Sequence, residues 1–407
     1  MAILDTGSPF LVISNPASEY CSQETKPCDV FQSYDPTKSS SAVWISDDLD
    51  VLYELTQDYG SWLNDTVTLG DLVIENFPLG TANGSQTRDP MNWFGLNGPG
   101  GSGSAPESTL LGIMAQAGVI GSASVGIYIG ALNSSSGELA FGALDTSKWE
   151  GDLQVSAIPP NEYGTILASL TSVTVGDSKI KSSNYPVSVS VDTGNFDIKL
   201  PQDMVDEVWS QIGGIQAINV TAGNTSFPFG VCDCSLGQGS QTFTFGFANV
   251  SIEVPMSDLV LEPPKMVLEN LGVQDFPEGK CAFMINSLGE QPDLVIPFIL
   301  GDAFIRSAYF VLDWDSKELA LGQANHKGGD QNLIAIAPGE SGLRDAAASA
   351  AGASQSSATG TGQGSAPASS SAPPAKSSTS PSNSASRVSF GNGILFGGLL
   401  MLLGLFM

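Results

Sequence analysis

The tripeptide Asp-Thr-Gly occurs twice, at Asp5-Thr6-Gly7 and at Asp192-Thr193-Gly194, once in each half of a 407-residue chain. Ile3-Leu4 leads into the first copy and Val187-Ser188-Val189-Ser190-Val191 into the second, so each aspartate ends a strand-like run. Such a repeat points to an internally duplicated fold that supplies one carboxylate from each half. That pair performs acid–base chemistry without metal or cofactor. The rest of the composition offers little else. The single histidine, His326, follows the last strand-like segment beside Lys327-Gly328-Gly329 and reads as an exposed tail residue. Serine or cysteine nucleophiles need a histidine beside them, and zinc hydrolases usually need two or three. The formal net charge of −27, from 42 acidic against 15 basic residues, argues against a nucleic-acid partner and is compatible with work in acid.

The elements that must position the two aspartates read as all-β from Met1 to about Asn325. Short Val/Ile/Thr/Phe-rich runs such as 65–69, 137–142 and 243–247 are separated by Gly, Asn, Asp and Ser. Helical periodicity is confined to two stretches, 108–116 and 201–209. The second has proline early and acidic residues in its first turn, as a helix start should. Of five cysteines, Cys21 and Cys28 are close enough to close a small loop, while Cys232, Cys234 and Cys281 share the second half; no zinc-type spacing occurs. Asn-x-Ser/Thr sequons at Asn64, Asn83, Asn133, Asn219, Asn224 and Asn249 fit a secreted glycoprotein.

Near Ala346 the composition changes to Ala, Ser, Gly, Thr and Pro, and it stays so to Ser386, with no run able to bury a core. An apolar stretch from Gly393 to Met407 follows, short for a membrane span and preceded by the small residues Asn383-Ser384-Ala385. Stalk, small residues, spacer and apolar end come in the order of a glycosylphosphatidylinositol (GPI) attachment signal, with Asn383 or Ser384 as the attachment residue. The expected organisation is a first lobe over 1–158, a second over 159–327, a tail and disordered stalk over 328–386, and a spacer with hydrophobic tail over 387–407. A lipid anchor of this type requires entry to the secretory pathway. Met1-Ala2-Ile3-Leu4 runs straight into the first motif without a signal peptide, which is read as a missing start.

Taken together, the motifs resemble the pepsin-like aspartic proteases, and most closely the GPI-anchored fungal branch called yapsins, over about residues 1–325. Besides the two Asp-Thr-Gly motifs, Ile299-Leu300-Gly301-Asp302-Ala303-Phe304-Ile305-Arg306 matches the apolar-apolar-Gly element of the second lobe. Trp93-Phe94-Gly95-Leu96 is its looser counterpart in the first. The resemblance implies a bilobal all-β fold with a cleft between two barrel-like lobes, in which Asp5 and Asp192 face each other across one water. It implies an aspartic endopeptidase with an acidic optimum, acting as a monomer on peptide or protein substrates at the cell surface or wall, with no cofactor and no metal. Gly7 and Gly194 would permit close backbone approach, Thr6 and Thr193 would hold the carboxyls coplanar across the lobes, and Ser8 would bond the outer oxygen of Asp5. Cys21–Cys28 and Cys234–Cys281 would be bridges, leaving Cys232 free or exchanged with Cys234.

Three departures from the family pattern stand out. Asn195 replaces the Ser or Thr after the second motif, Val12 replaces a tryptophan that braces the flap, and the flap's Tyr-Gly-x-Gly is absent. Tyr53 and Tyr59 are the candidates for the flap tyrosine, in a hairpin that reads as shortened, and each reads equally as a buried strand aromatic. These departures keep two other readings open, a non-catalytic surface glycoprotein built on the same fold and an inactive, N-terminally truncated product. Retention of both aspartates favours the enzyme.

Overall fold

The computed structural model describes residues 2–358 and 386–391, apart from 24–26, 30–31, 54–56, 70–71, 86–91, 99–108, 159–164, 166, 223–224, 264–275 and 289–296. The chain is built from β-strands, and each half repeats one crossing. In the first half, Ile3–Asp5 runs parallel to Trp93–Gly95, which in turn pairs antiparallel with Leu11–Ser14. In the second, Val187–Val191 runs parallel to Phe298–Leu300, which pairs antiparallel with Ile198–Leu200. The chain therefore turns back after each Asp-Thr-Gly, and a strand from much later threads between the two arms. That threading demands glycine. A Cβ at Gly95 would sit 2.3 Å from the Phe10 amide nitrogen, and one at Gly301 would sit 2.3 Å from the Asp197 carbonyl oxygen.

The first crossing belongs to a six-stranded sheet that continues through Leu72–Ser85, Gln57–Leu69 and Val43–Leu52. The second belongs to a five-stranded sheet flanked by Leu167–Leu170 and Ile285–Ser287. A third sheet joins the halves. In it Ser136–Phe141 and Ser124–Tyr128 lie beside Ala308–Asp313 and Glu318–Ala324, with Trp149–Ala157 at one edge. These central strands are buried almost throughout, as a sheet covered on both faces must be. One apolar cluster runs from Leu4 and Phe94 through Val125 and Phe141 to Phe304 and Phe310, so the lobes share a core.

Two helices follow the sequence signals. Leu110–Gln116 starts at Thr109, whose Oγ1 accepts from the Gly112 amide, and Gln202–Ile212 follows Pro201 and buries Met204, Val205 and Val208. Cys21–Cys28 and Cys234–Cys281 are disulfides, and Cys232 is free and buried, in register opposite Cys281. Of the sequon asparagines, Asn83, Asn133, Asn219 and Asn249 are exposed, Asn64 is half-buried, and Asn224 lies outside the described residues. His326 is exposed, with Nδ1 2.9 Å from the Tyr128 hydroxyl.

Two expectations need correction. The tail, and the first part of the segment read as disordered stalk from Ala346, are structured. Leu333–Ala335 pairs with Ala143–Asp145, and a helix over Gly342–Ala358 packs Leu343, Ala346 and Ala350 against Leu144, Tyr309, Val311 and Ile336. Alanine is the strongest helix former and small enough for close packing, so the composition that reads as linker supports a docked helix instead. The boundary at 386/387 also falls within a strand, Ser386–Gly391, which pairs antiparallel with Ser136–Phe141 at the edge of the joining sheet. Residues 359–385, with Asn383 and Ser384, and the apolar end at 392–407 lie outside the described residues. Among the described residues no helix is long and apolar enough to cross a membrane.

Candidate active site

The two crossings bring Asp5 and Asp192 together at the ends of their strands. Both are nearly buried, at 4% and 8% exposure, and their carboxyls are close enough to hydrogen-bond. Four hydrogen bonds hold the two loops in a symmetric clasp. The Thr6 amide donates to Thr193 Oγ1 at 3.1 Å and the Thr193 amide to Thr6 Oγ1 at 3.0 Å. Each hydroxyl then donates across the lobes at 2.8 Å, Thr6 to the Val191 carbonyl and Thr193 to the Leu4 carbonyl. Each threonine thus spends its oxygen twice, once as acceptor and once as donor. A serine would keep the bonds, but the threonine methyl also fills the buried junction.

The two glycines of the motifs answer to the opposing carboxyls more than to turn geometry. A Cβ at Gly7 would sit 2.7 Å from Asp192 Oδ2, and one at Gly194 would sit 2.5 Å from Asp5 Oδ1. Their amides also donate inward at 2.8 Å, Gly7 to Asp5 Oδ1 and Gly194 to Asp192 Oδ1. The outer oxygens are bonded by the fourth residue of each motif. Ser8 Oγ donates to Asp5 Oδ2, and Asn195 Nδ2 donates to Asp192 Oδ2 at 2.8 Å. Asn195 therefore reaches the oxygen expected of a Ser or Thr. Burial, and then the charge of Asp192, push the Asp5 carboxyl up to about 7. Among the described residues no cluster of His, Cys, Asp or Glu is arranged to hold a metal ion.

Strands Val43–Leu52 and Gln57–Leu69 form a hairpin, longer than the shortened one expected from the sequence. Tyr53 leaves the end of its first strand and stacks on Trp93, with ring centroids 4.6 Å apart. Burial, and then the charges of Asp58 and Asp5, raise its phenol pKa well above the ordinary value, so the ring lies within the field of the first aspartate. Tyr59, the other candidate, is 37% exposed on the following strand, paired with Asp50, and does not share that cluster. The period of two along the hairpin sends it to the outer face.

Two features escaped sequence reasoning. Val12 is in register with Trp93 on the adjacent strand, so the indole missing from position 12 is supplied from across the ladder. The second is Asp197 and Lys199, both at most 3% exposed, beside Asn195. Two charges inside the apolar run around Ile198–Leu200 were the visible signal.

Twin strand crossings, a shared clasp and a buried carboxyl pair define the class of two-lobed β-proteins that work with paired aspartates. Residues 1–324 match the family model described as eukaryotic aspartyl protease, and the chain belongs to that family. Similar proteins include a probable aspartic-type endopeptidase opsB of Aspergillus oryzae, 27% identical over 353 residues, covering 84% of this chain and 69% of the relative. Secreted aspartic protease 3 of Candida albicans is 26% identical over 328 residues, covering 80% and 76%. Barrierpepsin of Saccharomyces cerevisiae is 26% identical over 356 residues, covering 79% of this chain and 56% of its own length. An aspartic proteinase from Irpex lacteus shares the fold at a TM-score of 0.60 and 21% identity, over 81% of this chain and 92% of that one.

Proposed function

We propose that the protein hydrolyses internal peptide bonds with Asp5 and Asp192 as its catalytic residues and no cofactor. The observation that carries this reading is the pair of nearly buried carboxyls held by the four-bond threonine clasp. Two carboxyls this close do not both ionise cheaply, so the pair keeps one proton. The ionised member takes a proton from water, whose oxygen attacks the peptide carbonyl, while the protonated member donates to the carbonyl oxygen. As the C–N bond breaks, the amine takes a proton from the first carboxyl, and the second recovers its own. Asp5 keeps its proton up to about pH 7, which supports activity in acid. Tyr53, on the hairpin beside Asp5 and braced by Trp93, closes over the substrate as the flap.

The wider reading is a monomeric glycoprotein of the fungal GPI-anchored, yapsin-like branch, held at the cell surface or wall. It is supported by four exposed sequon asparagines and by the order of stalk, small residues, spacer and apolar end along the chain after Ala346. Release of the protein from cells by a phosphatidylinositol-specific phospholipase tests the anchor. A protein that stays on the cells through a protein segment would remove it. The catalytic reading is tested on the full chain with a library of internally quenched peptides at acid pH. Cleavage should be blocked by pepstatin and should fall by at least a thousandfold in Asp192→Asn. Cleavage that survives Asp192→Asn overturns the assignment of the pair.

A further inference from the structure

A buried polar relay approaches the second aspartate from behind. Lys199 lies on strand Ile198–Leu200, between Asn286 of Ile285–Ser287 and Ile299 of Phe298–Leu300. Asp197 lies in the bend just before Ile198–Leu200, and its carboxylate meets the Lys199 ammonium at 3.4 Å, with side chains 1% and 4% exposed. Asp197 Oδ2 accepts from Asn286 Nδ2 at 3.1 Å, and the Gly230 amide donates to Asn286 Oδ1 at 2.8 Å, which fixes the orientation of that amide. In the other direction Lys199 Nζ donates to Asn195 Oδ1 at 3.1 Å, and Asn195 Nδ2 donates to Asp192 Oδ2 at 2.8 Å.

The chemistry of this relay is directional. A side-chain amide has a donor end and an acceptor end, and either could turn toward a carboxyl. An ammonium only donates, so Lys199 captures the carbonyl end of Asn195 and leaves the NH2 end for Asp192. The first aspartate has no such constraint, because the Ser8 hydroxyl at its outer oxygen rotates to donate or to accept. A donor held at Asp192 favours its ionised form, whereas Ser8 serves either form of Asp5. Among the described residues the charged group that meets Lys199 is Asp197, with Asp192 and Asp5 beyond Asn195. The register partners Asn286 and Ile299 carry no charge.

We infer that Lys199, acting through Asn195, is a positioning residue that makes Asp192 the proton-accepting member of the pair and leaves Asp5 to carry the proton. This rests on the proteolytic reading above. Lys199 replaces the rotational freedom of a hydroxyl by a fixed polarity, so the division of labour between the two aspartates is built into the resting site.

The test measures kcat/KM against pH for the full chain and for Lys199→Met, Asn195→Ser and the double variant. In Lys199→Met the amide is free to turn its oxygen toward Asp192. The acidic limb is expected to move up by about one pH unit and the maximum to fall about tenfold. In the Asn195→Ser background the same change should move neither, because a hydroxyl has no polarity for Lys199 to set. Equal effects in both backgrounds, or a fall in activity with an unmoved acidic limb, would reduce Lys199 to a purely structural role and overturn the inference. If Lys199→Met folds poorly for want of a partner to Asp197, Asp197→Asn/Lys199→Met removes both buried charges and takes its place. A second readout is independent of turnover. The Asn195 side-chain NH2 resonance in selectively labelled protein should titrate with the pair and be slow to exchange, and it should lose both properties in the lysine variant. An inert parent protein with that signature overturns the proteolytic reading and keeps the relay; an active one without it overturns the relay alone.

Discussion

Raising the pH from about 4 to about 7 should destabilise this protein, and Asp302 should account for much of the loss. Asp302 is fully buried, and neither of its carboxyl oxygens has a hydrogen-bond partner among the described residues. The guanidinium of Arg306, also fully buried, is equally without one there. Burial pushes the Asp302 carboxyl from 3.8 up to about 7, against the opposing pull of Arg306. Between those two values the folded chain holds a proton that the unfolded chain has released, so stability falls as pH rises. Stability from this group is complete below 3.8 and lost as pH climbs through about 7. At about 1.4 kcal/mol per pH unit the interval is worth about 4 kcal/mol, a large part of a domain's typical 5–15 kcal/mol. Asp5 acts with the same sign over the same window. Asp65 acts oppositely. Against the cost of burial, hydrogen bonds from Ser41, Tyr34 and Ser39 hold it at about 2, so its contribution is lost only in stronger acid. The assay is urea unfolding followed by tryptophan fluorescence at about pH 4, 5.5 and 7, for the parent and Asp302→Asn. The variant has no proton to lose at this position, so its stability should fall by about 4 kcal/mol less across the range. A parent protein that is as stable at pH 7 as at pH 4, or an Asp302→Asn variant with an unchanged slope, refutes the reasoning.

Thr193→Val keeps the shape of the side chain but removes the oxygen that makes two of the four clasp bonds. It should cost about 2–4 kcal/mol, since the Thr6 amide and the Leu4 carbonyl are left buried without it, and denaturation showing under 0.5 kcal/mol would make the clasp redundant. Tyr53→Phe deletes a buried hydroxyl with no partner among the described residues, so stability should hold or rise by about 1 kcal/mol while peptide cleavage slows. Lost stability with intact kinetics would remove Tyr53 from the flap. Burial pushes the Cys232 thiol up to about 11, so iodoacetamide near pH 8 should label it only after unfolding. Rapid labelling of the native protein, read by mass spectrometry, contradicts its burial.

How far the sequence led depended on whether a feature is local. Asp5-Thr6-Gly7 and Asp192-Thr193-Gly194, with the apolar-Gly runs at 93–96 and 298–301, are local patterns whose residue types are forced by tight backbone contacts. They were sufficient for the duplicated all-β fold and the facing aspartates. The alanine-rich stretch after Gly342 misled because composition cannot report a neighbour: the surface of Leu144, Tyr309 and Ile336 makes it a docked helix. Register decided the rest. Only strand pairing sets the Trp93 indole beside Val12, and only the stacking of Tyr53 on Trp93, against the pairing of Tyr59 with Asp50, tells the two tyrosines apart.

By itself, then, the sequence determined that two carboxylates, one from each half, would meet at strand ends, because repeated motifs encode repeated crossings. The tertiary structure decided that they are not equivalent. Asn195 reads as a departure from the pattern until strand pairing and burial set Lys199 behind it, where the ammonium turns its amide toward Asp192. That orientation depends on contacts between side chains on a folded sheet, at distances and polarities no spacing along the chain records.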